Sequence, residues 1–106
     1  TKIVPNDLQL TPLVCAIWFC DDGSVIRNSE NNLRLQLATD GFSKSEVEFL
    51  AGLLRKELNE LFIVYPKEGN FVIHAHTNAT KKFIEYIKPY FPKSMKRKSD
   101  KWEGIV

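Results

Sequence analysis

Residues 10–24 read Leu10-Thr11-Pro12-Leu13-Val14-Cys15-Ala16-Ile17-Trp18-Phe19-Cys20-Asp21-Asp22-Gly23-Ser24. Thr11 followed by Pro12 is the preferred order of a helix cap and a first helical residue. The almost uncharged run behind them predicts a helix to about Asp21, and a glycine at position 23 would let the backbone leave it. The two carboxylates then lie at a helix C-terminus, where the partial negative charge of the helix disfavours them.

A bound divalent cation is one explanation for these acids. Carboxylate and carbonyl oxygens are the ligands that Mg²⁺ and Ca²⁺ prefer. The alternative is a solvated Asp-Asp-Gly turn between a helix and a strand, which is common. The dipeptide alone leaves both interpretations open.

The periodicity of the remaining chain predicts two β-hairpins and two more helices. Ser43 and Glu46 have the spacing of a capping box. Alternation predicts strands at 24–29, 33–39, 61–65 and 71–77, and the helical pattern predicts helices from Ser43 to about Asn59 and, capped by Asn78, to about Lys88. The order α-β-β-α-β-β-α is an α+β fold: a four-stranded antiparallel sheet with the helices on one face. Residues 1–9 form an arm or linker and 10–106 a single domain.

Composition is that of an ordinary globular domain, with 106 residues, 43% hydrophobic and 26% charged. The sequence has no apolar run of the roughly 18 residues that span a membrane, and nothing at its start reads as a signal peptide. Cys15 and Cys20 lie five apart on one predicted helix and cannot bridge each other. They indicate small thiols in a reducing, intracellular compartment.

The charge distribution is more informative than the net charge of +2. Residues 81–101 carry eight of the fifteen basic residues, against Glu85 and Asp100. A basic end of this kind is typical of a phosphate-binding surface. A solvated basic tail is the alternative.

The uncovered face of the predicted sheet is polar. Arg34, Gln36, His74 and His76 point there, and such side chains can hydrogen-bond to base edges in a DNA groove. Ordinary solvated strand positions are the alternative for each of them. A metal site on the two histidines is disfavoured, because no third His or Cys accompanies them.

Three blocks of the chain resemble the LAGLIDADG homing endonucleases. Residues 10–24 resemble the signature helix in its variant form: Leu-Thr-Pro, an apolar run with Trp, then Asp-Asp-Gly. Residues 33–43 with 46–50 resemble the family's second strand and following helix, and 84–90 with 94–98 its closing segment. The likeness is greatest to the C-terminal half of two-repeat members.

The resemblance implies a site-specific DNA endonuclease that cuts both strands of a long target with Mg²⁺ or another divalent cation. Asp22 matches the metal-binding catalytic acid, Asp21 a second metal contact, and Lys98 the catalytic basic residue. Departures are Asp40, where the family usually has Gln, and Arg97, where it often has an aromatic residue. The nucleic-acid contacts that we expect are Ser24, Arg27, Asn28, Arg34, Gln36, Asp40, Lys67, His74, His76, Lys96 and Arg97.

The family's active site needs two signature helices, whereas this chain has one Asp-Asp-Gly motif. The resemblance therefore implies pairing with a second LAGLIDADG domain, as a homodimer or with a complementary half. Pro12, Ala16 and Cys20 form a stripe of small residues that would allow close helix approach, the alternative being burial in the chain's own core. If the chain is intron-encoded, as the resemblance suggests, we expect it in a mitochondrion or another organelle.

Two other functions compete with the nuclease. One is a non-catalytic RNA-binding protein of the same fold, an intron maturase or a ribonucleoprotein component, which Asp40 and the single motif favour. The other is a regulatory DNA-binding domain. Asp22 and Lys98 favour the nuclease.

Overall fold

The structure is a computed structural model that describes residues 8–29, 32–39 and 41–91. Three helices and four strands follow in the predicted α-β-β-α-β-β-α order, which confirms the α+β fold. The elements are α1 (Pro12–Asp22), β1 (Gly23–Ser29), β2 (Asn32–Ala38), α2 (Lys44–Leu58), β3 (Ile63–Lys67), β4 (Asn70–Ala75) and α3 (Thr77–Ile87), followed by a 3-10 turn at Lys88–Tyr90.

The sheet is antiparallel with the strand order β1-β2-β4-β3, so β2 and β4 lie in its centre. Leu33, Leu35 and Leu37 of β2 are fully buried under the helices, where Phe19 of α1 and Phe83 of α3 join the same core. The intervening residues of β2 point to the opposite face, which no described element covers. The predicted two-layer arrangement is therefore confirmed within the described residues.

Helix α1 begins as predicted and ends for a different reason. Thr11 caps it, with its hydroxyl accepting a hydrogen bond from the Val14 N–H at 3.3 Å. Gly23, however, is extended, with φ −98° and ψ 157°, so the prediction that glycine's freedom ends the helix is wrong. A Cβ at this position would lie 2.3 Å from Cδ1 of Phe19. Glycine is needed here because a buried phenylalanine occupies the space of its side chain.

Helix α2 has the predicted capping box. The Ser43 hydroxyl accepts from the Glu46 N–H at 3.3 Å, and the Glu46 carboxylate accepts from the Ser43 N–H at 3.0 Å. The helix ends at Leu58, and its C-cap Asn59 adopts the left-handed conformation with φ 53°. Asparagine tolerates that conformation better than most residues.

Helix α3 begins differently from the prediction, because His76 and not Asn78 is its N-cap. The hydroxyls of Thr77 and Thr80 point toward β2 and hydrogen-bond to its backbone, which continues the pairing of β2 beyond the end of β4. Thr77 accepts from the Leu33 N–H at 3.2 Å, and the buried Thr80 accepts from the Leu35 N–H at 3.0 Å. Thr80 also donates to the Ala75 carbonyl at 2.9 Å. These hydroxyls satisfy strand donors that would otherwise be buried without partners.

The strands of the second hairpin are displaced from the predicted ranges 61–65 and 71–77: β3 begins only at Ile63, and β4 runs from Asn70 to Ala75. Strand β3 continues through Pro66 to Lys67, and the turn residues Glu68 and Gly69 both have positive φ, 50° and 83°. Proline is tolerated there because β3 is an edge strand. Of the predicted arm, the described Leu8 packs against the core; residues 1–7 lie outside the described ranges.

Candidate nucleic-acid interface and acid site

Asp21 and Asp22 are both exposed at the end of α1, and the last turn of that helix holds no basic residue. Gly23 follows directly and pairs with Leu37 of β2. The two aspartates therefore lie at the end of the sheet where strand β2 terminates, at Ala38. Two carboxylates beside the negative end of a helix make a strongly electronegative corner.

The two acids lie on different sides of α1. Asp22 is four residues beyond Trp18, and residues at that spacing share a helix face. The Trp18 indole Nε1 donates to the Ala38 carbonyl at 3.4 Å, so this face meets the end of β2. Asp21 is four residues beyond Ile17, which is exposed. Asp22 thus belongs to the sheet side of the helix and Asp21 to its uncovered side.

These carboxylates are hard oxygen donors, as Mg²⁺ requires, and so they suit that ion. Within the part of the chain that the structure describes, no group of three or more His, Cys, Asp or Glu side chains could hold a metal ion. The pair can therefore supply only part of a coordination shell. The remaining metal ligands would have to come from groups other than these two aspartates.

The open sheet face brings together most of the predicted nucleic-acid contacts. Gln36 lies directly opposite His74 on β4 and Ser24 on β1. Arg34 lies two residues further along β2, opposite Ile26. A groove of about 410 Å³ on this face is lined by Arg34, Gln36, Tyr65, Pro66, Lys67, Val72, His74 and His76.

Some predicted contacts are not on this face. Arg27 lies opposite Leu33, so its side chain starts from the helix-covered face and is exposed at its rim. For Asn28 the structure describes the backbone only. Asp40, Lys96, Arg97 and Lys98 lie outside the described residues, and their predicted roles stay predictions.

His74 has the most unusual environment on the open face. Its ring centroid is 5.0 Å from that of Tyr65, with 52° between the ring planes. Its Nε2 is buried and has no hydrogen-bond partner among residues 8–29, 32–39 and 41–91. Burial lowers the pKa of His74, and the nearby charges of Arg34, Lys67 and His76 lower it further. The ring is therefore neutral at neutral pH and offers one donor and one acceptor.

Helix α1 exposes an apolar stripe that differs from the predicted small-residue stripe. Ala16 is buried in the chain's own core, which is the alternative that the sequence left open, and Pro12 and Cys20 are half-buried. Leu13, Val14 and Ile17 are instead 50%, 37% and 55% exposed. We call these three residues the α1 stripe; it leads directly to Asp21. Their apolar character at helical spacing was visible in the sequence, but which helix face was buried was not.

Tyr65, which is 42% exposed on the open face, was also missed as a candidate. Its direct partner on β4 is Val72, which is buried. Alternation along β3 could have placed Tyr65 on this face.

Comparison with known proteins shows the family. Residues 1–83 match the model of the LAGLIDADG DNA endonuclease family. The chain belongs to this family.

Curated relatives include both maturases and an endonuclease. Cytochrome b mRNA maturase bI2 of Debaryomyces hansenii is 32% identical over 102 residues, covering 92% of this chain and 37% of that protein. The protein of the same name from Saccharomyces cerevisiae is 32% identical over 104 residues, covering 92% and 23%. Probable intron-encoded endonuclease 1 of Wickerhamomyces canadensis is 31% identical over 102 residues, covering 92% and 44%. The chain thus spans less than half of each of these relatives.

A solved structure has the same fold as this chain. The homing endonuclease I-WcaI bound to its DNA recognition sequence superimposes with a TM-score of 0.81 at 31% identity. The match covers 92% of this chain and 46% of that one. None of the described helices is long and apolar enough to span a membrane.

Proposed function

We propose that this chain is one half of a homing endonuclease, which binds duplex DNA on its open sheet face and supplies one acid to metal-dependent cleavage of both strands. The observation that carries the proposal is the α1 stripe, an exposed apolar surface that ends in two exposed carboxylates. The DNA-bound homing endonuclease of similar fold supports it.

Pairing follows from the α1 stripe. Large apolar side chains exposed at helical spacing are stabilised when a second surface covers them. A second LAGLIDADG domain that presents its own signature helix would cover them, and its acids would then lie beside Asp21 and Asp22. Either a second copy of this chain or a complementary half satisfies this requirement. The matched relatives and I-WcaI are all more than twice as long as the region matched, which leaves room for such a half.

The two acids would have different roles. Asp22, on the sheet side of α1, is the residue that we propose as the metal ligand at the scissile phosphate, and Asp21 as a contact at the domain boundary. With Mg²⁺ bound, such a site would supply an activated water and stabilise the leaving oxygen. The remaining oxygen ligands would come from the DNA phosphate and the second domain.

Basic and polar side chains would hold the DNA. The groove on the open face is lined by Arg34, Gln36, His74 and His76. Lys67, on the edge strand β3, lines it as well. On the resemblance, Lys98 would stabilise negative charge at the phosphate, with Lys96 and Arg97 as DNA contacts.

RNA binding is the second candidate, because two relatives are named cytochrome b mRNA maturases. A maturase would use the same fold and basic end without needing Asp22 as a metal ligand. These relatives also support the organelle location that the resemblance implies.

Cleavage of a randomised duplex library tests the proposal. We would incubate the chain with the library in Mg²⁺ and in EDTA, alongside a randomised RNA library of equal length. If the partner is a second copy of this chain, the proposal expects a subset of duplexes to be bound in EDTA and cut only in Mg²⁺; if it is a complementary half, the same binding is expected and cutting needs that half. Tight binding of RNA without enrichment of any duplex would support the maturase function instead.

A further inference from the structure

The groove on the open face surrounds His74 with basic side chains. Arg34 of β2, Lys67 of β3 and His76, just beyond the end of β4, line this groove and act on His74 through their charge. Tyr65 packs against the imidazole and, as a phenol, is uncharged near neutral pH. No carboxylate is among the described residues that line the groove. Glu68 of the β3–β4 turn lines a separate recess of about 170 Å³.

The imidazole of His74 is poorly placed to hold a second proton in the free chain. Its Nε2 is buried and has no hydrogen-bond partner in the part of the chain that the structure describes. Burial lowers the pKa of His74, and repulsion by Arg34, Lys67 and His76 lowers it further. A protonated ring would therefore lie in a cationic groove without a counter-charge among the described residues.

The phosphates of a bound duplex would supply that counter-charge. DNA carries one negative charge per about 1.7 Å of helix axis, so its phosphates would neutralise Arg34 and Lys67 and attract a charged imidazole. A phosphate oxygen only accepts hydrogen bonds, and both ring nitrogens of a protonated histidine donate. The repulsion that disfavours the proton in the free chain thus becomes an attraction in the complex.

Two opposing effects on His74 decide the direction of the change. Covering the groove favours the neutral ring, but Nε2 is already buried in the free chain, so the duplex adds little further burial at this atom. The attraction to phosphate is new in the complex. An opposite charge within about 4–6 Å favours the charged form about ten- to thousand-fold. The attraction therefore exceeds the additional effect of burial.

We propose that the groove binds duplex DNA together with a proton, which His74 takes up as the phosphates enter. This inference rests on the proposed DNA-binding function and adds to it a pH-sensitive affinity. The uptake depends on the charge of the groove and of the phosphates, so it does not require a particular base sequence.

Proton uptake makes the affinity for DNA rise as the pH falls. If the pKa of His74 is higher in the complex than in the free chain, proton and duplex stabilise each other's binding. The affinity then increases as the pH drops from the pKa of the complex to that of the free chain. A difference of one between the two pKa values corresponds to a ten-fold change in affinity. Acid thus strengthens the complex through the same ring that it uses to destabilise the free fold.

Binding titrations at two pH values test the inference. A labelled duplex of random sequence is titrated with the 106-residue chain in EDTA at about pH 5.5 and about pH 7.5, the range in which histidine ordinarily titrates. The chain has two histidines, so His74→Gln and His76→Gln form a matched pair, and His76 is exposed to water. We expect the wild-type chain to bind about ten-fold more tightly at the lower pH. His74→Gln should lose most of this dependence, and His76→Gln should keep it.

The two kinds of failure are distinguishable. If the wild-type chain binds no duplex at either pH, both the proposed function and this inference are overturned. If it binds with the same affinity at both pH values, or if His74→Gln retains the full dependence, only the inference is overturned. Circular dichroism at each pH verifies that the compared chains are folded.

A second measurement does not depend on the folding of any variant. The ring ¹⁵N resonances of His74 in the wild-type chain, followed against pH with and without the duplex, give its pKa in both states. We expect a pKa below 6.5 in the free chain and a value at least about one higher in the complex. A pKa in the complex equal to or below that of the free chain would contradict the inference.

Discussion

The indole of Trp18 donates to the carbonyl of Ala38 at 3.4 Å, which joins α1 to the end of β2. The bond spans 20 residues in sequence and lies four residues before Asp22. It fixes the acid end of the signature helix to the sheet that would hold the DNA. The position of Asp22 relative to the open face therefore depends on Trp18.

Trp18→Phe tests this connection. Phenylalanine keeps an aromatic ring but removes the donor, so we expect a loss of about 0.5–1.5 kcal/mol in the free energy of unfolding. DNA affinity should change little, while cleavage slows, because Asp22 loses its anchor. Urea denaturation and cleavage assays measure the two effects. Unchanged cleavage would show that the bond does not position the acid.

Thr80→Val should destabilise the chain by about 1–3 kcal/mol, because it leaves the buried Leu35 N–H without its acceptor. Thr80→Ser is the matched control, since it keeps the hydroxyl and loses only a methyl group. The serine variant should retain more stability than the valine variant in thermal unfolding. The reverse order would mean that packing, not the hydroxyl, holds α3 to β2.

Gly23→Ala should cost about 1–3 kcal/mol, because the new Cβ would overlap Phe19 in the core. Gly52→Ala is the control: a Cβ there meets nothing within 4 Å, and the position lies within α2. It should stabilise the chain by about 0.5–1 kcal/mol through helix propensity. A harmless Gly23→Ala would contradict the close contact with Phe19.

Acid should destabilise the folded chain partly through His74. Its pKa in the folded chain lies below 6.5, so the unfolded chain binds the proton more readily. Stability should therefore fall as the pH drops from 6.5 toward the lower folded value. His74→Gln should flatten this pH dependence, whereas His76→Gln keeps the buried imidazole and should not. An identical slope in the wild-type chain and His74→Gln would contradict the burial of this ring.

The α1 stripe predicts the effect of charge on assembly. If the second domain is another copy of this chain, Ile17→Glu should shift the chain from dimer to monomer in sedimentation, because a carboxylate would be buried at the paired helices. Leu61→Glu is the control, since Leu61 is equally exposed but lies in the loop before β3. If both variants dimerise like the wild-type chain, the stripe is not the contact surface.

Much of the fold could be predicted because local patterns set it. Leu33, Leu35 and Leu37 alternate with polar residues, and Ser43 with Glu46 forms the capping box that their spacing indicated. The start of α3 could not be predicted in this way. Thr77 and Thr80 use their hydroxyls on a distant strand, so a tertiary contact overrode the local preference for Asn78 as the cap.

Some features of the candidate site could also be predicted, because local sequence patterns determine them. The exposure of Asp22 and the placement of Gln36 and His74 on one sheet face follow from element boundaries and strand alternation, whereas their direct pairing is set by the β2–β4 register. The burial of Ala16 and the exposure of Leu13 and Ile17 depend on how α1 is rotated against the sheet. That rotation is fixed by Phe19 and Trp18 packing, which spacing along one helix does not reveal.

The central claim is that the Asp22 carboxylate takes part in DNA cleavage. A matched pair of variants tests this claim most directly. Asp22→Asn and Asp21→Asn each remove one exposed charge from the same helix end. With a duplex selected by the wild-type chain, we expect Asp22→Asn to abolish cleavage in Mg²⁺ while binding in EDTA stays within a few-fold, and Asp21→Asn to retain more of the activity. Cleavage by Asp22→Asn at the wild-type rate would contradict the account.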